Sequence, residues 1–237
     1  MNTIVGICGG SGSGKTTLAE RLVGRLRASG GPGAAALVPF DAYYREFPHL
    51  TVAERAGVNW DHPDALDADL LAAHLADLRT GRDVAVPVYD FARYRRHDTR
   101  ALVPAAPVIV VEGILLLAFG AVRDAVDLMV FRHCPESRRL ERRLSRDVRE
   151  RGRDAASVTA QFAATVRPMH ERFVAANAWR ADLVFDEADA MAGPPGEDGP
   201  NPVDTFVEII VARLGVGSSP PDPGRDPMDP AALGLIS

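Results

Sequence analysis

The stretch Thr3–Thr17, T-I-V-G-I-C-G-G-S-G-S-G-K-T-T, constrains this chain more than any other. It reads as a short apolar strand, a glycine-rich turn and the first turn of a helix. Gly9, Gly14, Lys15 and Thr16 satisfy G-x-x-x-x-G-K-[ST], the phosphate-binding loop. Glycines let backbone N–H groups turn inward around phosphate oxygens. The following helix adds unpaired N–H groups and the positive end of its dipole. The expected nucleotide-binding set is therefore Gly9, Gly10, Ser11, Gly12, Ser13, Gly14, Lys15, Thr16 and Thr17. Lys15 is expected to reach the β- and γ-phosphates, and the Thr16 hydroxyl to ligate Mg²⁺. A chance glycine loop is the bland alternative. The apolar run before the loop and Leu18, Leu22, Val23 and Leu26 after it argue against chance.

Lysine usage sharpens the point. The chain has 27 Lys plus Arg, and Lys15 is the sole lysine. A slim ammonium on a flexible stem is retained at the phosphate loop, where a planar guanidinium fits less well.

Strand and helix signals alternate along the rest of the chain. Ala34–Val38 reads as a second strand, ending at Asp41. Residues 45–64 read as polar and irregular. A helix follows with Leu66, Leu70, Leu71, His74, Leu75 and Leu78 on one stripe, stopped at Gly81. Val84–Val88 contains a proline and reads as an edge strand or hairpin arm. Val108–Val111 and Asp127–Phe131 read as buried strands. Glu136–Glu150 reads as a helix with Arg139, Arg142, Arg143 and Arg146 on one face and Leu140, Leu144 and Val148 opposite. Ser157–Ala178 reads as a helix interrupted near Pro168. Leu183–Phe185 is a last strand and Val203–Leu214 a last helix. The implied fold class is α/β: a P-loop NTPase-type parallel sheet with helices on both faces, a small β-hairpin subregion and an Arg-rich lid. One domain over 1–214 and a disordered 215–237 tail are expected, the latter from its Pro, Gly and Asp content.

A net charge of −5 argues against a general nucleic-acid binder. Cys8 and Cys134 suit a reducing compartment, with no disulfide or zinc pattern. With no leader before the first strand and no long apolar run, the expected location is the cytoplasm, away from membranes.

Candidate chemistry lies at strand ends, where open α/β sheets bind ligands. Glu112 follows four apolar residues and suits Mg²⁺ or its waters; the alternative is a solvated loop acid. Asp41 could accept the proton of an attacking hydroxyl, or merely cap a turn. The arginine helix with Arg151-Gly152-Arg153 could close over a transferring phosphate. Its alternative is a solvated helix laced with pairs such as Arg143 with Asp147. Tyr43, Tyr44, Trp60, Tyr89, Phe91 and Tyr94 suit a stacking pocket, or loops folded onto the core. A regulatory GTPase would carry N-K-x-D, which a chain with one lysine lacks. A non-catalytic RNA-binding module explains the arginines but not the complete phosphate loop.

Taken together, these stretches resemble the uridine/cytidine kinase family over residues 3–214. The matching pieces are G-G-S-G-S-G-K-T-T (9–17), D-A-Y-Y (41–44), N-W-D-H-P-D-A-L (59–66), P-V-Y-D-F (87–91), E-G-I-L (112–115), R-D-V-R-E-R-G-R-D (146–154), Gln161 and R-P-M-H-E-R-F-V (167–174). The resemblance implies transfer of a phosphoryl group from ATP or GTP, with Mg²⁺, to the 5′-hydroxyl of uridine or cytidine. It implies Asp41 as base and Asp61 on the ribose hydroxyls. Tyr44 and Trp60 would line the pocket, and Tyr89 and Phe91 would flank the base. Arg143, Arg146, Arg151 and Arg153 would serve the lid, and Gln161 the sugar side. It also implies a homo-oligomer, tetramers being frequent in the family. Trp60 stands where Phe is usual, and Tyr94 where a base-reading His is usual, from which a preference for cytidine is expected. The loop 187–200 is longer than the family's Pro-Arg-Gly turn. A phosphoribulokinase-like or pantothenate-kinase-like enzyme of the same broad fold is the alternative.

Overall fold

The structure, a computed structural model, describes residues 1–187 and 201–215, and only the backbone of Ala56 and Arg151. The expected tail and most of the 187–200 loop lie outside the described residues. In chain order the strands are β1 (Thr3–Cys8), β2 (Ala35–Pro39), β3 (Val84–Asp90), β4 (Arg95–Val103), β5 (Val108–Gly113), β6 (Leu128–His133) and β7 (Leu183–Asp186). Five of them form a parallel sheet in the order β2-β5-β1-β6-β7.

Alternation along the strands builds two cores. Ile4 and Cys8 of β1, with Ile109 and Val111 of β5, face one side. Val5 and Ile7, with Val108 and Val110, face the other. On the second side lie α1 (Lys15–Gly30), through Leu18, Leu22 and Leu26, and the helix Pro202–Leu214, through Phe206 and Ile210. On the first side lie α3 (Ala68–Arg79), through Leu71, Leu75 and Leu78, and α4 (Gly120–Asp124), through Val122. Fully burying one such leucine is worth about 1.5–3 kcal/mol. No helix among the described residues is long and apolar enough to cross a membrane.

β3 and β4 form a separate antiparallel hairpin with an irregularity between Pro87 and Tyr89. The proline cannot donate to the ladder, which suits the two-stranded arrangement. Arg96 ties this hairpin to the turn that follows β2 and to the start of α3. Its guanidinium donates to the Tyr44 carbonyl at 2.9 Å, to the Tyr43 carbonyl at 3.1 Å and to Asp67 at 3.2 Å.

Several expectations are corrected. The stretch 45–64 contains α2 (Val52–Ala56), whose start is a capping box. Thr51 accepts from the Glu54 amide, and the Glu54 carboxylate accepts from the Thr51 amide. Leu66 precedes α3 and pairs with Tyr44 in an isolated bridge, because Asp67 is the N-cap. Leu70 is only partly buried. Arg95–Val103 forms β4, a strand that the sequence reading does not include. The second helical run begins earlier than expected, at α6 (Ala155–Gln161), capped by the Asp154 side chain. Wide π-type turns at Phe162–Val166 and His170–Val174 flank the three-residue α7 (Arg167–Met169), and the run ends in a 3₁₀ segment, Ala175–Arg180. Pro168 lacks an N–H and crowds the preceding turn, which accounts for the interruption.

The helix α5 (Glu136–Arg151) is inverted relative to ordinary amphipathic packing. Arg139, Arg143 and Asp147 are buried, while Val148 is exposed. The Arg143–Asp147 pair is therefore internal, not a surface pair on a solvated helix.

Candidate active site

β1 delivers Gly9 at its end, and the loop turns through Gly12 and Gly14, both with positive φ. Gly14 is the N-cap of α1, and no side chain caps this end. The first-turn amides of α1 are thus left for an anion. Two glycines are required by close approach as well. A Cβ on Gly12 would strike the Arg139 backbone carbonyl, and one on Gly10 would lie 2.8 Å from both the Arg139 guanidinium and the His170 ring. Arg132, at the end of β6, backs the loop by donating to the Ser13 carbonyl and ion-pairing with Glu187 at 3.1 Å. Lys15 is 6% exposed, and its ammonium lies 3.9 Å from Glu112 at the end of β5. Burial pushes the Glu112 carboxyl above its usual range, and Lys15 opposes the shift. Thr16 and Thr17 follow on the first turn of α1, where Thr16, like Lys15, opposes the rise of the Glu112 carboxyl.

In front of Ser11 and Lys15 opens a cavity of about 560 Å³. Asp41 reaches it from the 3₁₀ turn Phe40–Tyr43 that follows β2. Asp61 enters from the loop before α3 and is 7% exposed. Burial raises the Asp61 carboxyl, Arg143 opposes this and Asp41 adds to it.

One wall is aromatic. Tyr44 meets Trp60, Tyr89 and Phe91 with ring centroids 5.6, 5.3 and 6.2 Å apart. Tyr94 stacks on Trp60 at 5.6 Å and an interplanar angle of 12°. Tyr94 is the one non-glycine residue with positive φ, +53°, among the described residues. Such a conformation is strained for a bulky residue and is tolerated where its surroundings fix it. Asp90 supplies that restraint by accepting the amides of Ala92 and Arg93 at 2.9 and 3.1 Å. Tyr43, grouped with these rings by sequence, is instead fully buried in the core, its hydroxyl on His74 Nδ1 at 2.9 Å.

A second wall comes from α5, the turn after it and the end of α6, contributing Arg143, Arg146, Arg153 and Gln161. Arg143 donates to Ser11 Oγ at 2.9 Å and to Gln161 Oε1 at 3.0 Å, while Arg153 donates to Gln161 Oε1 at 2.7 Å. Arg151 belongs to the last turn of α5, and its side chain lies outside the described residues. Sequence reasoning missed Ala92, Ile114 and Glu150, which also line the cavity. It also missed His170, which lies behind the loop in a small void bordered by Gly10, Ser11 and Asp61. Burial, with the Arg139 and His133 charges, holds His170 down at about 4.

Cys8 and Cys134 are free and buried, and burial raises the Cys8 thiol to about 11. Neither behaves as an activated thiol. No cluster of three or more His, Cys, Asp or Glu suited to a metal occurs among the described residues.

The model of the phosphoribulokinase/uridine kinase family matches residues 4–192. The chain is 41% identical over 211 residues to a uridine kinase of Chloroflexus aurantiacus, covering 89% of this chain and 93% of that one. It is 42% identical over 187 residues to a uridine kinase of Staphylococcus epidermidis, covering 79% and 88%. Among solved structures it resembles a putative fructose transport system kinase from Silicibacter, with a TM-score of 0.65 at 25% identity, covering 78% and 89%. A putative P-loop kinase of Saccharomyces cerevisiae, with a TM-score of 0.54 at 13% identity and covering 78% and 92%, shares the fold.

Proposed function

The chain belongs to the phosphoribulokinase/uridine kinase family and is a kinase, and on that premise we propose that it phosphorylates the 5′-hydroxyl of pyrimidine ribonucleosides. One observation carries this reading. A single cavity joins the phosphate-loop residues Ser11 and Lys15 to the carboxylates of Asp41 and Asp61, an aromatic wall and the arginines of α5. A transferring phosphoryl group, a diol and a flat base each find a complement among these groups.

In this reading the aromatic wall takes the base by stacking, and Asp61 takes the ribose hydroxyls. Asp41 accepts the 5′-hydroxyl proton as its oxygen bonds to the γ-phosphorus and the bond to the leaving diphosphate breaks. Lys15 and the loop amides hold the β- and γ-oxygens. Arg143, Arg146, Arg151 and Arg153 offset charge on the equatorial oxygens and exclude water. The donor is a nucleoside triphosphate, ATP or GTP.

The family implies Mg²⁺, and the residues fit it. Glu112 Oε2 is buried without a hydrogen-bond partner, beside Thr16. One carboxylate and one hydroxyl, completed by phosphate oxygens and water, suit Mg²⁺. Thr16 and Glu112 would hold it, and it would neutralise charge on the β- and γ-phosphates.

Two finer proposals follow. Tyr94 biases the pocket toward cytidine, and the protein is a homo-oligomer, as the resemblance implies. A coupled assay with ATP and GTP across uridine, cytidine, ribulose 5-phosphate and pantothenate tests the main reading. Turnover of either nucleoside is expected. Preference for ribulose 5-phosphate or pantothenate overturns it.

A further inference from the structure

The arginines of α5 converge on a residue that the kinase chemistry does not itself require. Asp147 is completely buried, an unusual state for an ionised carboxylate. Its Oδ1 takes the Arg146 guanidinium at 2.9–3.0 Å, and its Oδ2 lies 3.5 Å from Arg153 and 3.6 Å from Arg143. Its backbone carbonyl separately accepts the amides of Gly152 and Arg153, closing the turn that folds Arg153 back toward the cavity. Gly152 makes that turn at φ +62°. All three arginines line the cavity, and Asp147 does not.

From this geometry we infer that Asp147 is the positioning residue of the lid: its carboxylate gathers Arg143, Arg146 and Arg153 into one preset array and cancels part of their charge. The inference rests on the kinase reading for its kinetic consequence only. Three guanidinium groups packed together repel one another in a partly dry site. Among these four groups, one carboxylate against three cations leaves a surplus of two positive charges, and the cavity carboxylates Asp61 and Glu150 are common to every variant compared. That surplus attracts a phosphate chain while the array stays fixed before the donor arrives. Without the carboxylate the cations splay and bind anions in many poses. Anion affinity then rises while the geometry for transfer is lost, a combination that simple structural damage does not produce.

The test uses Asp147→Asn in the full chain, which keeps the size of the side chain and both backbone hydrogen bonds. Binding of inorganic tripolyphosphate is measured calorimetrically without nucleoside, and kcat and KM are measured with uridine and cytidine. The variant is expected to bind tripolyphosphate roughly three- to tenfold more tightly. Its kcat is expected to fall by about a hundredfold, as misplacement by an ångström can cause, with a much smaller change in nucleoside KM. Unchanged or weaker tripolyphosphate binding overturns the inference, as does a kcat near that of the wild type. The double variant Arg146→Gln/Asp147→Asn restores the surplus of two. It is expected to return tripolyphosphate affinity toward wild type and to be more stable than Asp147→Asn. This arm decides the matter if the single variant does not fold, since a double variant no better behaved also overturns the inference. A wild type idle on both nucleosides would refute the proposed substrate, yet the tripolyphosphate arm would still decide the role of Asp147.

Discussion

The Lys15 ammonium lies 3.9 Å from Glu112 Oε2, across the adjoining ends of β1 and β5. Parallel pairing of Ile7 with Glu112 sets this juxtaposition, so the sheet register itself brings the phosphate-loop cation to the strand-end acid. Both groups are nearly buried, and each offsets the cost of desolvating the other. Burial outweighs Lys15 in holding the Glu112 carboxyl above its usual range, so the neutral Glu112→Gln is expected to leave the unliganded protein no less stable at pH 7. The same change removes the acid proposed to serve Mg²⁺, so the apparent KM for Mg²⁺ should rise several-fold. Urea unfolding and a Mg²⁺ titration of activity read the two effects. An unchanged Mg²⁺ requirement would remove Glu112 from the metal role.

Asp41 lines the same cavity as Arg143 and Arg146, on a turn that follows β2 and whose Tyr43 carbonyl accepts from Arg96. Asp41→Asn keeps the shape of the side chain and loses the proton acceptor. Nucleotide binding should persist while kcat falls by about 10²–10⁴-fold. Near-normal kcat in this variant would place the base elsewhere.

The sheet and both its faces were legible because hydrophobic period and glycine punctuation report local backbone physics directly. Strands such as Val108–Val111 can only be buried, and Gly81 ends its helix as a left-handed residue must. The arginine helix was less transparent. Arg139, Arg143 and Asp147 recur at four-residue intervals, and a buried polar stripe has the same period as a solvated one. Which face turns inward depends on a tertiary neighbour, here the phosphate loop, whose Gly10 and Gly12 admit Arg139. Tyr43 misled for a related reason. Its neighbours Asp41 and Tyr44 face the cavity, but a 3₁₀ turn rotates Tyr43 into the core toward His74. The capping box at Thr51 and Glu54 was available as a signal and marks α2.

His170 gives a pH-dependent prediction. Its folded pKa, about 4, lies below the ordinary 6.5, because burial disfavours the charged ring and Arg139 and His133 repel it. The folded state therefore binds fewer protons than the unfolded state between these values. Stability is full above pH 6.5 and is lost as pH falls toward 4, by up to about 2 kcal/mol after allowance for partial exposure. His170 Nδ1 is buried without a hydrogen-bond partner, so His170→Phe should cost little at pH 7. The variant should lose less stability than the wild type on acidification. Asp61 and Glu112 have raised pKa values and act with the opposite sign, but they are common to both proteins and cancel in the difference. Equal loss in the two proteins between pH 7 and 4.5 would show that His170 does not resist protonation.

Tyr94 carries the last prediction, which concerns base choice. Its ring is stacked on Trp60, and its backbone holds a left-handed conformation at the tip of the β3–β4 hairpin. The stacked pair fixes the ring plane, and in the proposed reading the hydroxyl meets the edge of the bound base. Tyr89 lies nearby, its hydroxyl buried without a hydrogen-bond partner. A Tyr94 hydroxyl that gives its proton to a neighbour is left as an acceptor. Such an acceptor takes a hydrogen bond from the cytosine amine and repels the uracil carbonyl. An unpaired polar group in a closed pocket costs about 1–3 kcal/mol, or roughly 5- to 150-fold in kcat/KM. Histidine switches tautomer and can serve either base. It is also among the residues that enter the left-handed region readily, so Tyr94→His keeps the turn intact. Cytidine is therefore expected to be favoured by the wild type, and Tyr94→His to narrow the difference. Measuring kcat/KM for both nucleosides on both proteins checks this. Equal use of uridine and cytidine by the wild type would sink the role of Tyr94 in base choice while leaving the kinase reading untouched.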